Sequence, residues 1–327
     1  MPLPPVLQQP LSVPVVASPM FIASSPELVI AQCTSGIIGS FPALNARPAE
    51  KLDEWLTQIE EGIAAFQQEN PDAVVAPFAV NQIVHHSNDR LQQDMEVIVK
   101  HRVPIVITSL GVVPEINEAV HSYGGIVLHD VIKNRHAQKA IEGGADGIIA
   151  VAAGAGGHAG SQSPFALLNE IRQWFDGPLL LSGAISHGRS IFAALAAGAD
   201  FAYVGSPFLA TPEANTVDDY KQMIVDSSAA DVIYSNLFTG VHGNYLRGSI
   251  ENAGLDADNL PESDPSKMNF GSGSGNDAKA WKDIWGCGQG IGSITGIQPA
   301  ADLIAQFKDE FRAAVDAFDE KVRVRQL

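Results

Sequence analysis

Eight short runs of β-forming apolar residues alternate with segments of helical spacing over the front of this chain, and that alternation most limits the folds open to it. The runs are 13–20, 37–41, 73–80, 104–110, 125–131, 147–153, 178–184 and 201–208. Several are apolar throughout, as strands covered on both faces should be. Between them 51–68, 134–141, 165–174 and 188–197 read as helices. Two helix exits repeat one signature, Gly144-Ala-Asp146 and Gly198-Ala-Asp200. Glycine at that point favours the left-handed cap that turns the chain into the next strand. Eight strand–helix units in succession predict an α/β fold, a closed (β/α)8 TIM barrel over residues 1–210.

The pattern then changes. Residues 211–295 hold helical stretches at 218–228 and 278–283 and a polar tract, Gly271-Ser-Gly-Ser-Gly275, that reads as a flexible loop. They predict a smaller helical lobe over the barrel mouth. Residues 296–327 carry an amphipathic stretch, 299–322, expected to be a last helix packed back on the barrel. No internal repeat stands out beyond the strand–helix alternation.

Bulk properties exclude several partners. The chain has 327 residues, 46% of them apolar, enough for a large core, and a net charge of −17. With no cluster of Lys and Arg, nucleic acid and anionic membrane surfaces are poor partners. Cys33 and Cys287 lie far apart without metal-ligand spacing, which suits a reducing compartment. The N-terminal Met1-Pro-Leu-Pro-Pro5 lacks a basic segment and a long apolar segment, and no run is long enough for a membrane helix. A cytoplasmic protein, monomer or homodimer, acting on a small molecule is the expectation.

In such a barrel, chemistry sits at the C-terminal ends of the strands. After the sixth strand comes Gly154-Ala-Gly-Gly-His158-Ala-Gly160. Glycine lets backbone approach a flat ligand closely, and a histidine there can move a proton or steady a negative charge. Read alone, the loop is equally a glycine turn with an incidental histidine. The seventh and eighth strands end in Ser182-Gly183-Ala184 and Gly205-Ser206. Adjacent glycine turns on those two strands are where barrels commonly bind a phosphate. Asn81, His129 and Asp130 end other strands. The rival reading, a dinucleotide fingerprint at Gly154-x-Gly156-x-x-Ala159, fails twice. Gly160-Ser-Gln-Ser-Pro164 delays the following helix, and 179–187 holds no acidic residue for a ribose.

Taken together, Ala17-Ser-Pro-Met20, Asn81, Ala155-Gly-Gly-His158, Ser182-Gly-Ala184, Gly205-Ser206 and Gly288-Gln-Gly290 resemble the nitronate monooxygenase family. That FMN-dependent group also includes NADH:quinone reductases and flavin-dependent enoyl-acyl-carrier-protein reductases. The resemblance implies that Ser182, Gly183, Ala184, Gly205 and Ser206 hold the FMN phosphate. It implies that Pro19, Met20 and Phe21 line the isoalloxazine, that Asn81 donates to it, and that Gly156 and Gly157 bring backbone to its edge. His158 matches the active-site histidine. Asp130 stands at a cofactor-side place that is lysine in some quinone-reductase relatives. Val151, Ala152 and Gly154 replace the Gln-Gly and acidic residue of many family members.

The resemblance implies oxidation of alkyl nitronates with O2 to carbonyl compounds and nitrite, His158 acting as base or anion stabiliser. Two alternatives stay open: NAD(P)H-driven reduction of a quinone or enoyl thioester on the same FMN barrel, and a non-redox barrel for a phosphorylated metabolite. Histidines 85, 86, 101, 121, 136 and 187 are expected in solvent. His129 is expected either packed or at the site, and His242 is a candidate at the mouth. Cys33 is expected buried in a helix, Cys287 in a loop near the cofactor, and Phe78, Phe165 and Tyr203 in the core.

Overall fold

A computed structural model describes residues 3–263 and 283–325. The tract 271–275 and most of the predicted helix 278–283 lie outside the described residues. Eight parallel strands form the barrel: β1 (Val15–Ala17), β2 (Gly39–Pro42), β3 (Phe78–Ile83), β4 (Ile105–Ser109), β5 (Ile126–Val131), β6 (Gly147–Val151), β8 (Leu179–Ser182) and β9 (Phe201–Val204). Their order is β1-β9-β8-β6-β5-β4-β3-β2, and a parallel bridge from Val16 to Ile38 closes the ring. A single closed sheet rules out the dinucleotide fold.

Proline trims the strands relative to their apolar runs, because it has no N–H for the ladder. Pro14 and Pro19 bracket β1, Pro77 delays β3 to Phe78, and Pro207 sits in α8 (Ser206–Leu209), which cuts β9 short. Alternation along each strand then sorts the core. Ile105, Ile107, Ile126, Leu128, Ile149 and Leu180 fill the barrel interior, and the N-terminal Leu7 packs against this cluster. Val106, Val127 and Ile148 face outward against the helices.

The helices follow their sequence signals. Ser25 caps α1 (Pro26–Thr34), its hydroxyl accepting from Leu28 N at 3.2 Å. In α2 (Lys51–Glu69), Leu52, Leu56 and Ile59 bury one stripe. α3 (Leu91–Lys100), α4 (Pro114–His121), α5 (Asn134–Glu142) and α6 (Pro164–Arg172) follow, and His187 caps α7 (Gly188–Ala196). Both Gly-Ala-Asp exits adopt the expected geometry, with φ +95° at Gly144 and +105° at Gly198. Their aspartates knit the bottom of the barrel. Asp146 accepts from Val127 N at 2.7 Å, and Asp200 accepts from Leu179 N at 2.8 Å.

After the barrel come α9 (Asp218–Asp226) and α10 (Arg247–Asn252). The structure adds a hairpin that the sequence reading did not mark, β10 (Val232–Ser235) and β11 (Gly243–Leu246). β11 also pairs antiparallel with β7 (Gly157–His158), so the glycine–histidine loop is stitched to this hairpin. The long α11 (Ala300–Arg325) packs back on the barrel. Phe307 meets Phe208 edge-on at 6.3 Å, and Glu310 accepts from Gly188 N at 2.7 Å.

Candidate active site

The C-terminal ends of the strands open into one cavity of about 1280 Å³. His158 and the residues that the resemblance assigns to the cofactor line it. Pro19, Met20 and Phe21 come from the loop after β1, Asn81 from β3 and Asp130 from β5. Gly156, Gly157 and His158 come from the sixth-strand loop, Ser182, Gly183 and Ala184 from the end of β8, and Gly205 and Ser206 from the end of β9.

The glycines divide into two kinds. Gly157 has φ +63° and open space where a side chain would stand, so it clears room in the cavity. Gly183 has φ +142°, and a Cβ there would meet Ala153 O at 2.8 Å. By contrast, Gly156 and Gly288 are small because backbone crosses backbone: a Cβ on Gly156 would meet Gly288 N at 2.9 Å, and one on Gly288 would meet Gly154 O at 2.7 Å. The Gly154 carbonyl accepts from Ala184 N at 3.1 Å and Gln289 N at 2.9 Å. Ser206 Oγ accepts from Gly288 N at 2.8 Å. The Gly288-Gln-Gly290 segment thus locks the sixth-strand loop to both glycine turns. Ala184 lines the cavity with its amide committed to Gly154. Ser206 opens α8, where a backbone N–H has no partner within the helix.

The opposite wall is built of side chains. Asn81 Nδ2 donates to Ile107 O at 3.1 Å and to Ser109 Oγ at 2.8 Å, and Ser109 Oγ donates to Asp130 Oδ2 at 2.5 Å. Burial raises the Asp130 carboxyl to about 6, with the Ser109 hydrogen bond opposing the shift. Among the described residues Asp130 is the one carboxylate lining the cavity, in a chain of net charge −17. Ser109 escaped the sequence reading although it too ends a strand. Next to it, His129 is packed against Thr108, 2.6 Å from its hydroxyl, and burial lowers it to about 4.

His158 stands on β7 opposite Gly243, with its Nε2 3.1 Å from Thr239 Oγ1. Burial lowers its pKa to about 4, so the ring is neutral at pH 7. A neutral imidazole can take a proton or donate one hydrogen bond, but it brings no positive charge.

Other expectations are corrected. His242 does not line the cavity. It stacks on Tyr234 at 5.0 Å, and its carbonyl accepts from Ala159 N. His101 is not a solvent histidine: its side chain, 9% exposed, lies between Asp53 and Glu60. His121 pairs with Asp146, and His187 pairs with Glu310. His136 rims the cavity together with Arg47 and Lys139. Phe165, expected in the core, is 64% exposed on α6, while Phe78 and Tyr203 are buried. Cys33 is buried in α1, its thiol pushed up to about 12, and Cys287 is buried at the cavity wall, its thiol also raised by burial.

An eight-stranded parallel barrel with a deep cavity at its strand C-termini is an enzyme architecture. Residues 7–310 match the family model described as nitronate monooxygenase, and the chain belongs to that family of oxidoreductases. A nitronate monooxygenase of Neurospora crassa is 26% identical over 63% of this chain and 59% of its own length. A carboxyl-CoA dehydrogenase of Rhodococcus jostii, acting on a hydroxylated methyl-oxo-octahydroindene thioester by its name, is 24% identical over 73% of this chain and 64% of its own. The chain spans about three fifths of the length of the first curated relatives it matches (64%, 59% and 64%). Among solved structures, nitroalkane oxidase from Streptomyces ansochromogenes shares the fold. Its TM-score is 0.76 at 23% identity, covering 94% of this chain and 97% of that one. No helix among the described residues is long and apolar enough to cross a membrane.

Proposed function

We propose that this chain is an FMN-dependent oxidoreductase that oxidises alkyl nitronates with O2 to carbonyl compounds and nitrite. What supports the reading most is convergence: His158 and the residues that the resemblance assigns to the cofactor, drawn from separate strand ends, line one cavity. The cavity fits the group. Gly157 leaves open space beside His158, Gly183 and Gly205 end adjacent strands without side chains, and no carboxylate lines the cavity at the β8 and β9 ends. Backbone at Ser182, Gly183, Gly205 and Ser206 would hold the phosphate, with Ala184 supporting the turn. Pro19, Met20 and Phe21 would line the ring, Gly156 and Gly157 its edge, and Asn81 and Asp130 its polar side. One pair of phosphate turns suits a mononucleotide rather than FAD.

When bound, FMN supplies the electron transfer between substrate and O2. The protein orients the substrate and moves the proton. A neutral nitroalkane would lose its α-proton to the unprotonated nitrogen of His158. The C–H electron pair stays on the substrate as nitronate, and the ring becomes imidazolium. A preformed nitronate needs no such step and takes only a hydrogen bond. His158→Asn therefore separates the two substrates: turnover of nitroalkane falls, and turnover of nitronate is spared. Equal rates in variant and wild type on both substrates would contradict the reading.

A second reading keeps FMN and draws electrons from NAD(P)H for a quinone or thioester substrate. The cavity exceeds the roughly 300–1,000 Å³ of ordinary ligand sites, and its rim carries Arg47, His136 and Lys139, suited to an anionic tail. The Rhodococcus relative, a CoA-thioester dehydrogenase by name, points the same way. NAD(P)H oxidation in the presence of quinone or enoyl thioester, with no nitronate turnover under air, would favour it.

A further inference from the structure

We propose that Asn45, in the single turn Ala43–Asn45 after β2, is a positioning residue that holds the loop after β1 in the shape that receives the flavin ring, by keeping Ile22 in the left-handed region of the backbone. The inference rests on the FMN reading of the cavity, and it adds how the chain prepares one wall of that site.

The loop from Met20 to Ser24 is one tight turn. Ser24 N donates to Met20 O at 2.9 Å, and Met20 N donates to Ser24 Oγ at 2.9 Å. Between them stands Ile22, at φ +67°. A β-branched residue rarely adopts that conformation, because its Cβ crowds the following carbonyl. Such strain persists only where the surroundings over-determine it. Asn45 supplies that constraint. Its Oδ1 accepts from Ile22 N at 2.9 Å, and its Nδ2 donates to Met20 O at 3.0 Å and to Ser24 O at 2.9 Å. These partners also fix which end of the amide is which, since a backbone N–H only donates and a carbonyl only accepts. One side chain thus grips the turn at its start, middle and end. Asn215 adds one side-chain bond, from Nδ2 to Ile22 O at 3.2 Å.

Asn45 is itself anchored. The buried Arg90 donates through Nη1 to Ala46 O at 2.7 Å and pairs with Asp94 at 2.8 Å, which ties the turn to α3. Arg47, two residues on, lies over the Phe21 ring at 5.1 Å. The bracket is therefore built into the barrel, whereas the loop it holds reaches the cavity mouth, where Ile22 is 39% exposed. Met20, Phe21 and Ile22 all line the cavity. Without Asn45, water takes over its bonds at this exposed position and the strained turn relaxes. The shape that receives FMN then becomes a minor one, and apparent affinity falls by the fraction that remains competent.

The test uses the full-length protein, stripped of flavin and reloaded with FMN. Fluorescence titration reads the affinity, and visible circular dichroism of the bound flavin reads the shape of its surroundings. Asn45→Ala should weaken FMN binding by about 5- to 100-fold, the population shift that strain of this kind represents, and should change the dichroism. The near-isosteric Asn45→Asp keeps the acceptor for Ile22 N but turns a carboxylate toward two carbonyls. It should weaken binding as well, and it serves if the alanine variant folds poorly. The decisive arm is the double variant. In the Ile22→Gly background, Asn45→Ala should lose no more than about threefold, because glycine takes a positive φ without strain. Equal losses in both backgrounds, or wild-type affinity and dichroism in Asn45→Ala and Asn45→Asp, overturn the proposal. A drop in Tm alone, with flavin bound as in wild type, marks a purely structural role and overturns it too. Failure of the functional reading shows separately, as a folded wild-type protein that takes up no FMN, which overturns both.

Discussion

The two ends of this barrel use the same side chain for opposite purposes. At the bottom, Asp146 and Asp200 each accept from a backbone N–H of the neighbouring strand and face a basic partner, His121 and Arg172 at 2.8 and 2.7 Å. At the top, Asp130 has Ser109 as its donor and a carboxyl raised to about 6 by burial. A carboxylate that bridges strands and is paired stabilises the fold, whereas one held in a cavity beside few donors is set up to interact with a ligand. The difference divides stability from chemistry along the barrel axis, as expected for this architecture.

If that division holds, changes at the top should alter cofactor and turnover, and changes at the bottom should alter melting. The largest effect is expected from His158→Asn, which should lose about 10²- to 10⁴-fold in kcat on neutral nitroalkane, the usual contribution of a positioned base. Its Tm and flavin content should stay near wild type. Next comes Gly205→Val. The φ of −120° suits any residue, but a Cβ would stand 3.3 Å from Ser18 Cβ, so the added side chain must crowd the turn. FMN affinity measured by fluorescence titration should fall by at least tenfold, about 1.4 kcal/mol. Gly183→Val is the harsher variant, because its φ of +142° strains any side chain, and it would blur local stability with binding.

At the bottom, Asp200→Ala leaves Leu179 N without its acceptor and takes the carboxylate from Arg172, whose guanidinium keeps the Gly198, Phe175 and Gly177 carbonyls. It should cost roughly 2 kcal/mol in denaturant unfolding with flavin content unchanged. An Asp200→Ala protein that loses flavin while keeping its Tm would break the division between the two ends.

The smallest effect is a pH dependence. The Asp130 carboxyl titrates higher in the fold than in the unfolded chain, so its contribution to stability is present at low pH and lost as pH rises from the ordinary value of 3.8 through about 6. His129 and His158, lowered from 6.5 to about 4, act in the other sense, and their contribution is lost as pH falls through that window. Asp130→Asn should therefore gain Tm relative to wild type as pH rises from about 4 to about 7. A Tm difference that stays flat over this range would count against the burial assigned to this carboxyl.

The strand–helix count, the strand-end rule and the paired glycine turns were legible in the sequence because each depends on local chemistry: period, cap or turn. The Gly-Ala-Asp exits were legible as caps, but not as ties to the neighbouring strand, since Asp200 meets Leu179 only once the barrel closes. Gly156, singled out for bringing backbone to a ligand, also stands where its loop crosses Gly288, a contact between two backbones distant in sequence that no local pattern shows. The hairpin was missed because 232–246 is short, mixed in polarity and partnered by a two-residue strand. Thr239 had no sequence signal at all. Its contact with a histidine 81 residues away forms only in the fold.

The most direct test of the central claim is the cofactor itself. Purified full-length protein should carry flavin, and acid treatment should release it as FMN in stoichiometric amount, with Gly205→Val folded but depleted. Release of FAD, or a fully folded wild-type protein that neither carries nor takes up FMN, would contradict the account.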